Sequence, residues 1–337
     1  MLKAILKQPF SPKRVPLISL LPLNTPLTLY IDPAGKCNFK CKFCFQGDPA
    51  LQSKLITNIM GFDLFSKICN DLKDFDNPIK KIHLHGFGEP LLNKNISNMV
   101  EMIKSGVAEV VAITTNGSAL NKEMARNLVS AGLDEIYISI YGLTDDDYLN
   151  LTKTKINVEK IVGNVRNLYE TSRGSQLKIH CKLIGSYFSD SEKEDFKDLY
   201  SGICDSIWID NVSNIWPGLD IADSLPKDTK ILHQYGVLSA QDDAGKICPQ
   251  PLYQMLIHSN GKVSPCCADF SAEVSMGDVN ETSLKDIWNG ENRRIFVENQ
   301  VRGNRNSYSV CSKCDYPKNG STINLSQNQS QLNEIYL

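Results

Sequence analysis

From residue 27 onward, short runs rich in β-branched residues alternate with longer amphipathic stretches. The runs predict strands and the stretches predict helices, the first of which places Phe62, Phe65 and Ile68 at helical spacing. The predicted strands are Leu27–Ile31, Lys80–His85, Glu109–Thr114, Glu135–Ile140, Leu177–Ile184 and Ser206–Ile209. The predicted helices are Gly61–Phe75, Ile96–Lys104, Lys122–Ala131, Val158–Tyr169 and Ser191–Ile203. This alternation predicts an α/β fold whose parallel strands form a partial (β/α)6 TIM-like barrel.

Changes in this pattern divide the chain into five parts. Residues 1–26 are an N-terminal lead-in, 27–210 the barrel, 211–247 a linker or substrate-facing loop, 248–315 a small cysteine-rich domain, and 316–337 a polar tail that is either mobile or a loose cap. The apolar run Val15–Pro22 is bounded by prolines and is too short to span a bilayer. We therefore expect no integral membrane association.

Composition narrows the class of protein. Hydrophobic residues make up 42% of the 337 positions and charged residues 22%, as in an ordinary globular protein. A formal net charge of -2 with no basic stripe argues against a nucleic-acid partner. The eleven cysteines are grouped like metal ligands rather than spread like a disulfide framework, so we expect a reducing, cytoplasmic location.

Three cysteines, Cys37, Cys41 and Cys44, follow the first predicted strand with CxxxCxxC spacing. One short loop with this spacing can hold three corners of an iron–sulfur cube and leave the fourth iron without a protein ligand. A zinc knuckle or three unrelated thiols are the alternatives. The triplet, with the aromatic Phe43 before its last cysteine, resembles the signature of the radical S-adenosylmethionine (SAM) enzymes.

The resemblance implies further residues that bind SAM at the C-terminal ends of the strands. The segment Gly86–Pro90 is similar to the family's Gly-Gly-Glu-Pro motif, apart from Phe87. This assigns Glu89 to the methionine amino group; a glycine-proline turn with a solvated glutamate is the alternative. The other residues that the resemblance assigns to SAM binding are Phe43, Gly88, Asn116, Ser139, Lys182 and Gly185.

His83 and His85 alternate along the second predicted strand. Histidines at such spacing share one face of a strand, and we interpret them as core histidines with satisfied hydrogen bonds rather than as catalytic groups.

A second group of cysteines lies in the C-terminal quarter: Cys248, Cys266, Cys311 and Cys314. Four thiolates close an iron–sulfur cluster completely, which suits electron transfer, although a structural zinc site would use the same ligands. Together with the run Met276–Trp288 and Arg293, they resemble the SPASM/Twitch extension of radical SAM enzymes in its version with a single auxiliary cluster. Cys267, next to a predicted ligand, is expected to be a buried bystander.

The resemblance implies SAM and two 4Fe-4S clusters as cofactors, with an external electron donor such as flavodoxin or ferredoxin. It implies reductive cleavage of SAM to a 5′-deoxyadenosyl radical, which abstracts hydrogen from a substrate. Because Tyr141-Gly142 departs from the Asp-Gly of peptide maturases, a polyol, sugar or sugar-containing small molecule is the expected substrate. Dehydrogenation, dehydration and epimerisation all remain open as outcomes. A peptide maturase and a non-catalytic iron–sulfur or zinc protein are the alternatives.

The sequence fixes no catalytic residue. Its candidates are Cys267, Cys204 and Asp269, and its candidate substrate contacts are Asp210, Asn214, Trp216, Asp220 and Asp269.

Overall fold

The computed structural model describes residues 15–212, 216–221, 224–226, 246–319 and 323–337, together with the backbone of 5–6. A ten-stranded sheet runs through these residues in the order β1-β7-β6-β5-β4-β3-β2-β8-β9-β10. The strands are β1 Ile5–Leu6, β2 Thr28–Ile31, β3 Ile79–His83, β4 Ala108–Thr115, β5 Glu135–Ile140, β6 Lys178–Ile184, β7 Ser206–Asp210, β8 Gln254–Ile257, β9 Lys262–Ser264 and β10 Gly277–Asp278.

Strands β2 to β7 are neighbours in chain order and are all parallel, which confirms the predicted partial barrel. Their ends differ from the predicted ones by at most two residues. On alternate positions, residues such as Leu29, Ile82 and Ile136 are fully buried in the main core. The residues between them lie on the other face of each strand, because side chains alternate across a sheet.

The helices of the described residues cover the outside of this sheet and include all five predicted ones. They are α1 Phe62–Leu72, α2 Ile96–Lys104, α3 Lys122–Ser130, α4 Asp145–Thr152, α5 Val158–Thr171, α6 Asp190–Tyr200, α7 Gln250–Tyr253, α8 Leu284–Asn289, α9 Glu291–Val301, α10 Ser309–Ser312, α11 Tyr316–Asn319 and α12 Gln329–Tyr336. Helix α1 buries Phe65 and Ile68, as its spacing predicted, together with Cys69, while Phe62 is only half-buried.

Helix α4 was not predicted. Its start is fixed by a capping box in which the Thr144 hydroxyl accepts from the Asp147 backbone while the Asp147 carboxylate accepts from the Thr144 backbone. Its eight residues carry three consecutive aspartates and a weak apolar stripe, so hydrophobic spacing gives little sign of it.

The cysteine-rich region joins the barrel's sheet directly. Strand β8 pairs in parallel with β2, with Leu29 opposite Met255, and β9 and β10 extend the sheet in antiparallel fashion. The first strand of the barrel is therefore a central strand, covered on one side by β3 and on the other by β8.

The two ends of the described chain pack together beside α9. Leu17 of the lead-in, Val301 of α9 and Leu332 of α12 belong to one buried cluster. In the structure, residues 323–337 thus form a packed cap. In the described part of the chain no helix is long and apolar enough to cross a membrane.

Candidate functional site

The loop that carries Cys37, Cys41 and Cys44 follows the C-terminal end of β2 and is held by backbone hydrogen bonds. The N–H groups of Lys40 and Lys42 donate to carbonyls at the C-terminal end of α4, at 2.9 and 3.0 Å. The Cys44 N–H donates to the Cys41 carbonyl at 3.1 Å. Helix α4 therefore supports the loop from behind, and the three thiols line one cavity at the barrel mouth.

The turn after β3 lies directly against this loop. A β-carbon on Gly88 would be 2.0 Å from the Ala34 carbonyl oxygen and 2.2 Å from that of Lys36, so only glycine fits there. The Gln46 side chain joins the two segments, because its Nε2 donates to the carbonyls of Gly35 at 2.7 Å and Phe87 at 3.0 Å. Sequence reasoning missed Gln46, which follows the last cysteine by only two positions.

Glu89 is buried at the centre of the mouth. Its carboxylate accepts from the Thr115 hydroxyl at 2.6 Å and from the backbone N–H groups of Asn116 at 2.8 Å and Leu91 at 3.1 Å. Burial raises its pKa to about 7, and these hydrogen bonds offset part of the rise. A buried carboxylate with a raised pKa suits an incoming cation, whose charge would replace the lost hydration.

The cavity brings together residues from the ends of six strands, β2 to β7. Of those predicted to bind SAM, the following line it together with the three cysteines: Phe43, Gly88, Glu89, Asn116, Ser139 and Lys182. Gly185 does not line it, although its neighbour Ile184 does. The Asn116 Nδ2 donates to Asn38 at 2.9 Å and lies 4.0 Å from the Cys37 sulfur.

Aromatic rings form the side wall of the same cavity. Phe43 stacks on Tyr141 with ring centroids 5.8 Å apart and packs against Tyr187 at 5.6 Å. On the far side Trp216 contacts Phe45 edge-on at 4.7 Å. Flat apolar faces of this kind suit a stacked purine, and they limit the entry of water.

The three thiols of the loop carry the features expected of cluster ligands. Burial raises the pKa of Cys37 to about 11 and that of Cys44 to about 12, and it raises the pKa of Cys41 well above its usual value. Neutral thiols tolerate this setting, whereas thiolates in it require a metal to balance their charge. The Phe39 N–H already donates to the Cys37 sulfur at 3.4 Å, so the loop supplies a polar partner for a ligating thiolate. The residues present therefore fit an iron–sulfur cluster with one open iron.

The second group of cysteines also meets in one place. Cys248, Cys266, Cys311 and Cys314 line a narrow closed cavity between α7, α9 and α10. Among the described residues, no three His, Cys, Asp or Glu side chains converge closely enough for a single metal ion. Four thiols around a shared cavity can close a 4Fe-4S cluster, and a tetrahedral zinc ion would use the same ligands.

The three catalytic candidates lie outside the mouth. The Cys267 sulfur is 3.7 Å from Gln250 Nε2 and is not among the residues that line the cavity of the other four cysteines. The Cys204 sulfur is buried in the main core and donates to the Tyr200 carbonyl at 3.2 Å. Asp269 accepts from Ser264 and from two backbone N–H groups, a set of contacts that stabilises its own turn.

Two of the predicted substrate contacts, Asp210 and Trp216, line the same cavity as the three thiols. Asp210 lies at the end of β7 and forms an ion pair with Lys182 at 3.4 Å. Asp220 does not line the cavity, and Asn214 lies outside the described residues.

His83 and His85 are half-buried, and the expectation that they are core histidines with satisfied hydrogen bonds is wrong. The Nδ1 atom of each has no hydrogen-bond partner among the described residues. The Nε2 atom of His85 lies 3.4 Å from the hydroxyl of Thr114, which lines the mouth. Burial lowers the pKa of His85 to about 3 and that of His83 well below its usual value, so both rings are neutral. The spacing predicted their shared face but not which partners the fold supplies.

Comparison with protein families agrees with both cysteine groups. Residues 31–199 match the radical SAM superfamily, and residues 248–315 match the SPASM iron–sulfur cluster-binding domain. The chain belongs to the radical SAM superfamily. Each matched range contains one of the two cysteine groups.

Relatives of known name span several activities. A tungsten-containing aldehyde ferredoxin oxidoreductase cofactor-modifying protein from Pyrococcus furiosus is 25% identical over 86% of this chain and 89% of its own. A GTP 3′,8-cyclase from Campylobacter fetus is 36% identical, but the match covers only 43% of this chain and 42% of the cyclase. The chain thus spans less than half the length of that relative.

Solved structures share the fold. SuiB of Streptococcus suis, bound to its precursor peptide SuiA, superimposes with a TM-score of 0.63 at 20% identity over 92% of this chain and 75% of SuiB. BtrN in complex with AdoMet and 2-DOIA gives 0.55 at 19% identity over 90% of this chain and 97% of BtrN. At such identities the similarity establishes architecture only. Membership of the radical SAM superfamily implies SAM and a 4Fe-4S cluster, and the SPASM match implies auxiliary iron–sulfur clusters.

Proposed function

We propose that this radical SAM enzyme abstracts hydrogen from a small hydroxyl-rich molecule, a polyol, sugar or sugar-containing compound, and that its single auxiliary site is of the Twitch type. The observation that carries the proposal is a set of polar side chains that line the same cavity as the three cysteines. Its members are Lys182, Asp210 and Thr114. The charges of Lys182 and Asp210 pair with each other, so neither is free to select an ionic ligand. Such a pair, next to hydroxyl groups, suits a ligand with neutral hydroxyl groups.

Below the mouth, the strand positions that alternate with the core residues are also polar. The Lys81 ammonium and the Tyr137 hydroxyl both donate to the Glu135 carboxylate at 2.5 Å, and His83 stacks on Tyr30 at 4.5 Å. Burial alone would raise the pKa of Glu135, but these hydrogen bonds lower it and keep the group charged. A polar barrel interior supports a polar substrate above it, because apolar groups would gain little from that surface.

The relatives with assigned names support a small molecule in a limited way. One is named for modifying a cofactor and another for cyclising GTP, so neither name refers to a polypeptide substrate. The peptide-bound neighbour SuiB shares the fold at an identity that establishes no substrate.

The chain's own groups would contribute binding and positioning. Cys37, Cys41 and Cys44 would hold the cluster that binds SAM, and with an electron from an external donor, which we propose is a flavodoxin or ferredoxin, the bound SAM would supply radical hydrogen-abstraction chemistry. Glu89 would accept hydrogen bonds from the methionine ammonium of SAM. Asn116 and Ser139 would contact other polar groups of SAM. Phe43 and Tyr141 would exclude water from the adenine side. Lys182 and Asp210 would orient a substrate hydroxyl toward the thiol side of the cavity.

Deuterium transfer tests the proposal directly. The reconstituted enzyme, dithionite and SAM are incubated without oxygen with deuterated polyols and sugars or with deuterated short peptides, and 5′-deoxyadenosine is examined by mass spectrometry. We expect deuterium to appear from a member of the polyol and sugar set, and to be lost in Asp210→Ala. Glu109→Ala, a surface change, is the matched control. Deuterium transfer from peptides alone would contradict the small-molecule assignment.

A further inference from the structure

A layer of polar groups surrounds the four auxiliary cysteines. The cavity that they line is also lined by Gln300, Arg305 and Tyr316. The Nε2 of Gln300, a fully buried residue, lies 3.8 Å from the Cys311 sulfur. The Tyr316 N–H donates to the Cys314 sulfur at 3.4 Å. Two of the four sulfurs thus already have a hydrogen-bond donor.

Arg305 adds a positive charge to this layer. Its Nη2 donates to the Cys314 carbonyl at 2.9 Å, while its Nε is buried and has no hydrogen-bond partner among the described residues. In the same part of the chain no carboxylate forms an ion pair with it. An unpaired buried N–H on a half-buried cation is unfavourable, and a negative charge bound beside it would offset that cost.

A cluster held by four thiolates supplies that negative charge. Reduction makes the cluster more negative, so a nearby cation and N–H donors stabilise its reduced form more than its oxidised form. At the barrel mouth the charges oppose each other, because the Glu89 carboxylate disfavours a negative charge on Cys37 while Lys40 favours one.

We propose that Arg305, with support from Gln300, is a positioning residue that raises the reduction potential of the auxiliary cluster. The region around Arg305 therefore sets this cluster up to accept electrons. The inference needs only the cluster and not the identity of the substrate, so it stands or falls separately from the hydrogen-abstraction function proposed above.

The test measures a potential rather than turnover. In the full chain carrying Cys37→Ala, Cys41→Ala and Cys44→Ala, only the auxiliary cluster remains, and its midpoint potential is read by EPR-monitored redox titration. With Arg305→Gln we expect a more negative potential, corresponding to about a tenfold change in the reduction equilibrium, or about 59 mV for one electron. Arg305→Lys, which keeps the charge, should shift it less, and Gln300→Leu should shift it in the same direction as Arg305→Gln.

Arg302→Gln is the matched control, because Arg302 is exposed at the end of α9 and loses the same charge. A potential in Arg305→Gln equal to that in Arg302→Gln would overturn the proposal. Equal shifts in the Lys and Gln variants would do the same, since charge would then be irrelevant. Loss of iron in Arg305→Gln with retention in Arg305→Lys would assign Arg305 to cluster retention and would also overturn it.

Discussion

At the scale of single residues, close contacts at the barrel mouth leave little freedom. Gly88 lies against the carbonyls of Ala34 and Lys36, and Glu89 accepts hydrogen bonds from a side chain and two backbone groups. Apart from the hydrogen bond from Leu91, which lies within the turn after β3, these contacts join that turn to the cysteine loop or to the end of β4. The geometry of the three thiols therefore depends on neighbours that contribute no ligand.

Gly88→Ala should displace the cysteine loop, because the added methyl group would overlap two backbone oxygens that cannot rotate away. We expect loss of most iron from the barrel site and of SAM binding, measured by iron analysis and isothermal titration. Gly163→Ala is the control, since that helical glycine has no neighbour within 4 Å of a β-carbon and its exposed side can accept a methyl group. Full iron retention in Gly88→Ala would contradict the close packing.

Glu89→Gln keeps the shape of the side chain and removes its charge. If Glu89 holds the methionine ammonium, SAM should bind roughly 10–100-fold more weakly, which corresponds to about 1.5–3 kcal/mol for a hydrogen bond to a charged group. Dissociation constants measured on the reconstituted protein would show this, with Glu109→Gln on the surface as comparison. Unchanged affinity would remove Glu89 from the site.

The half-buried histidines predict how stability depends on pH. Because the pKa of His85 is lowered to about 3 in the folded state, the unfolded chain binds a proton below about pH 6.5 while the folded chain does not. Stability should therefore fall as the pH decreases from about 6.5 toward 3, by about 1 kcal/mol from His85 alone at about pH 5.5. Urea unfolding of His85→Gln at several pH values should give a shallower slope than that of the unmodified protein. Parallel slopes would mean that His85 is protonated in the fold.

At the scale of elements, two helices without a strong sequence signal, α4 and α12, stabilise other parts of the fold. Helix α4 accepts the backbone hydrogen bonds of the cysteine loop at its C-terminal end. Helix α12 places Leu332 in a buried cluster with Leu17 and Val301, so that both ends of the described chain stabilise α9. The auxiliary site depends on α9 in turn, because Gln300 of that helix reaches Cys311.

Leu332→Ala should destabilise the C-terminal region, since removal of a fully buried leucine typically costs 2–5 kcal/mol. The loss should be visible in chemical unfolding and in faster hydrogen exchange of α9 and α12. Glu334→Ala, on the exposed side of the same helix, should leave both nearly unchanged. If Leu332→Ala behaved like Glu334→Ala, the cap would contribute nothing to α9.

At the scale of the whole molecule, the two cysteine groups sit on one continuous sheet. Strand β2 leads into the first group, and β8, its direct neighbour, lies between Cys248 and Cys266. An aromatic pair bridges the regions, because Phe45 stacks on Phe270 with centroids 4.4 Å apart and planes at 3°. The sites are thus fixed relative to each other by both backbone and side chains.

Iron analysis tests this arrangement as a whole. The reconstituted chain should hold about eight irons, and replacement of Cys248, Cys266, Cys311 and Cys314 by alanine should reduce this to about four. SAM cleavage in the presence of dithionite should persist at some level in that variant, because the open iron lies at the other site. Zinc in place of the second four irons would contradict the auxiliary cluster.

Much of this protein could be predicted from local pattern. The alternation of Leu29, Ile82 and Ile136 with polar neighbours marks the strands, and the spacing of Cys37, Cys41 and Cys44 marks the ligand loop. Helix α4 was not predicted because its amphipathic pattern is weak. The pairing of β8 with β2 could not be predicted from local pattern either, since it joins residues more than 200 positions apart.

The sequence by itself determined the barrel, the two groups of thiols and the family, because periodicity and ligand spacing are properties of short segments. Only the tertiary structure decided that Glu89 is buried among donors, that Gly88 admits no side chain, and that Arg305 faces four cysteines without a carboxylate partner among the described residues. These features arise where distant segments meet, and no pattern within one segment specifies the distances between them.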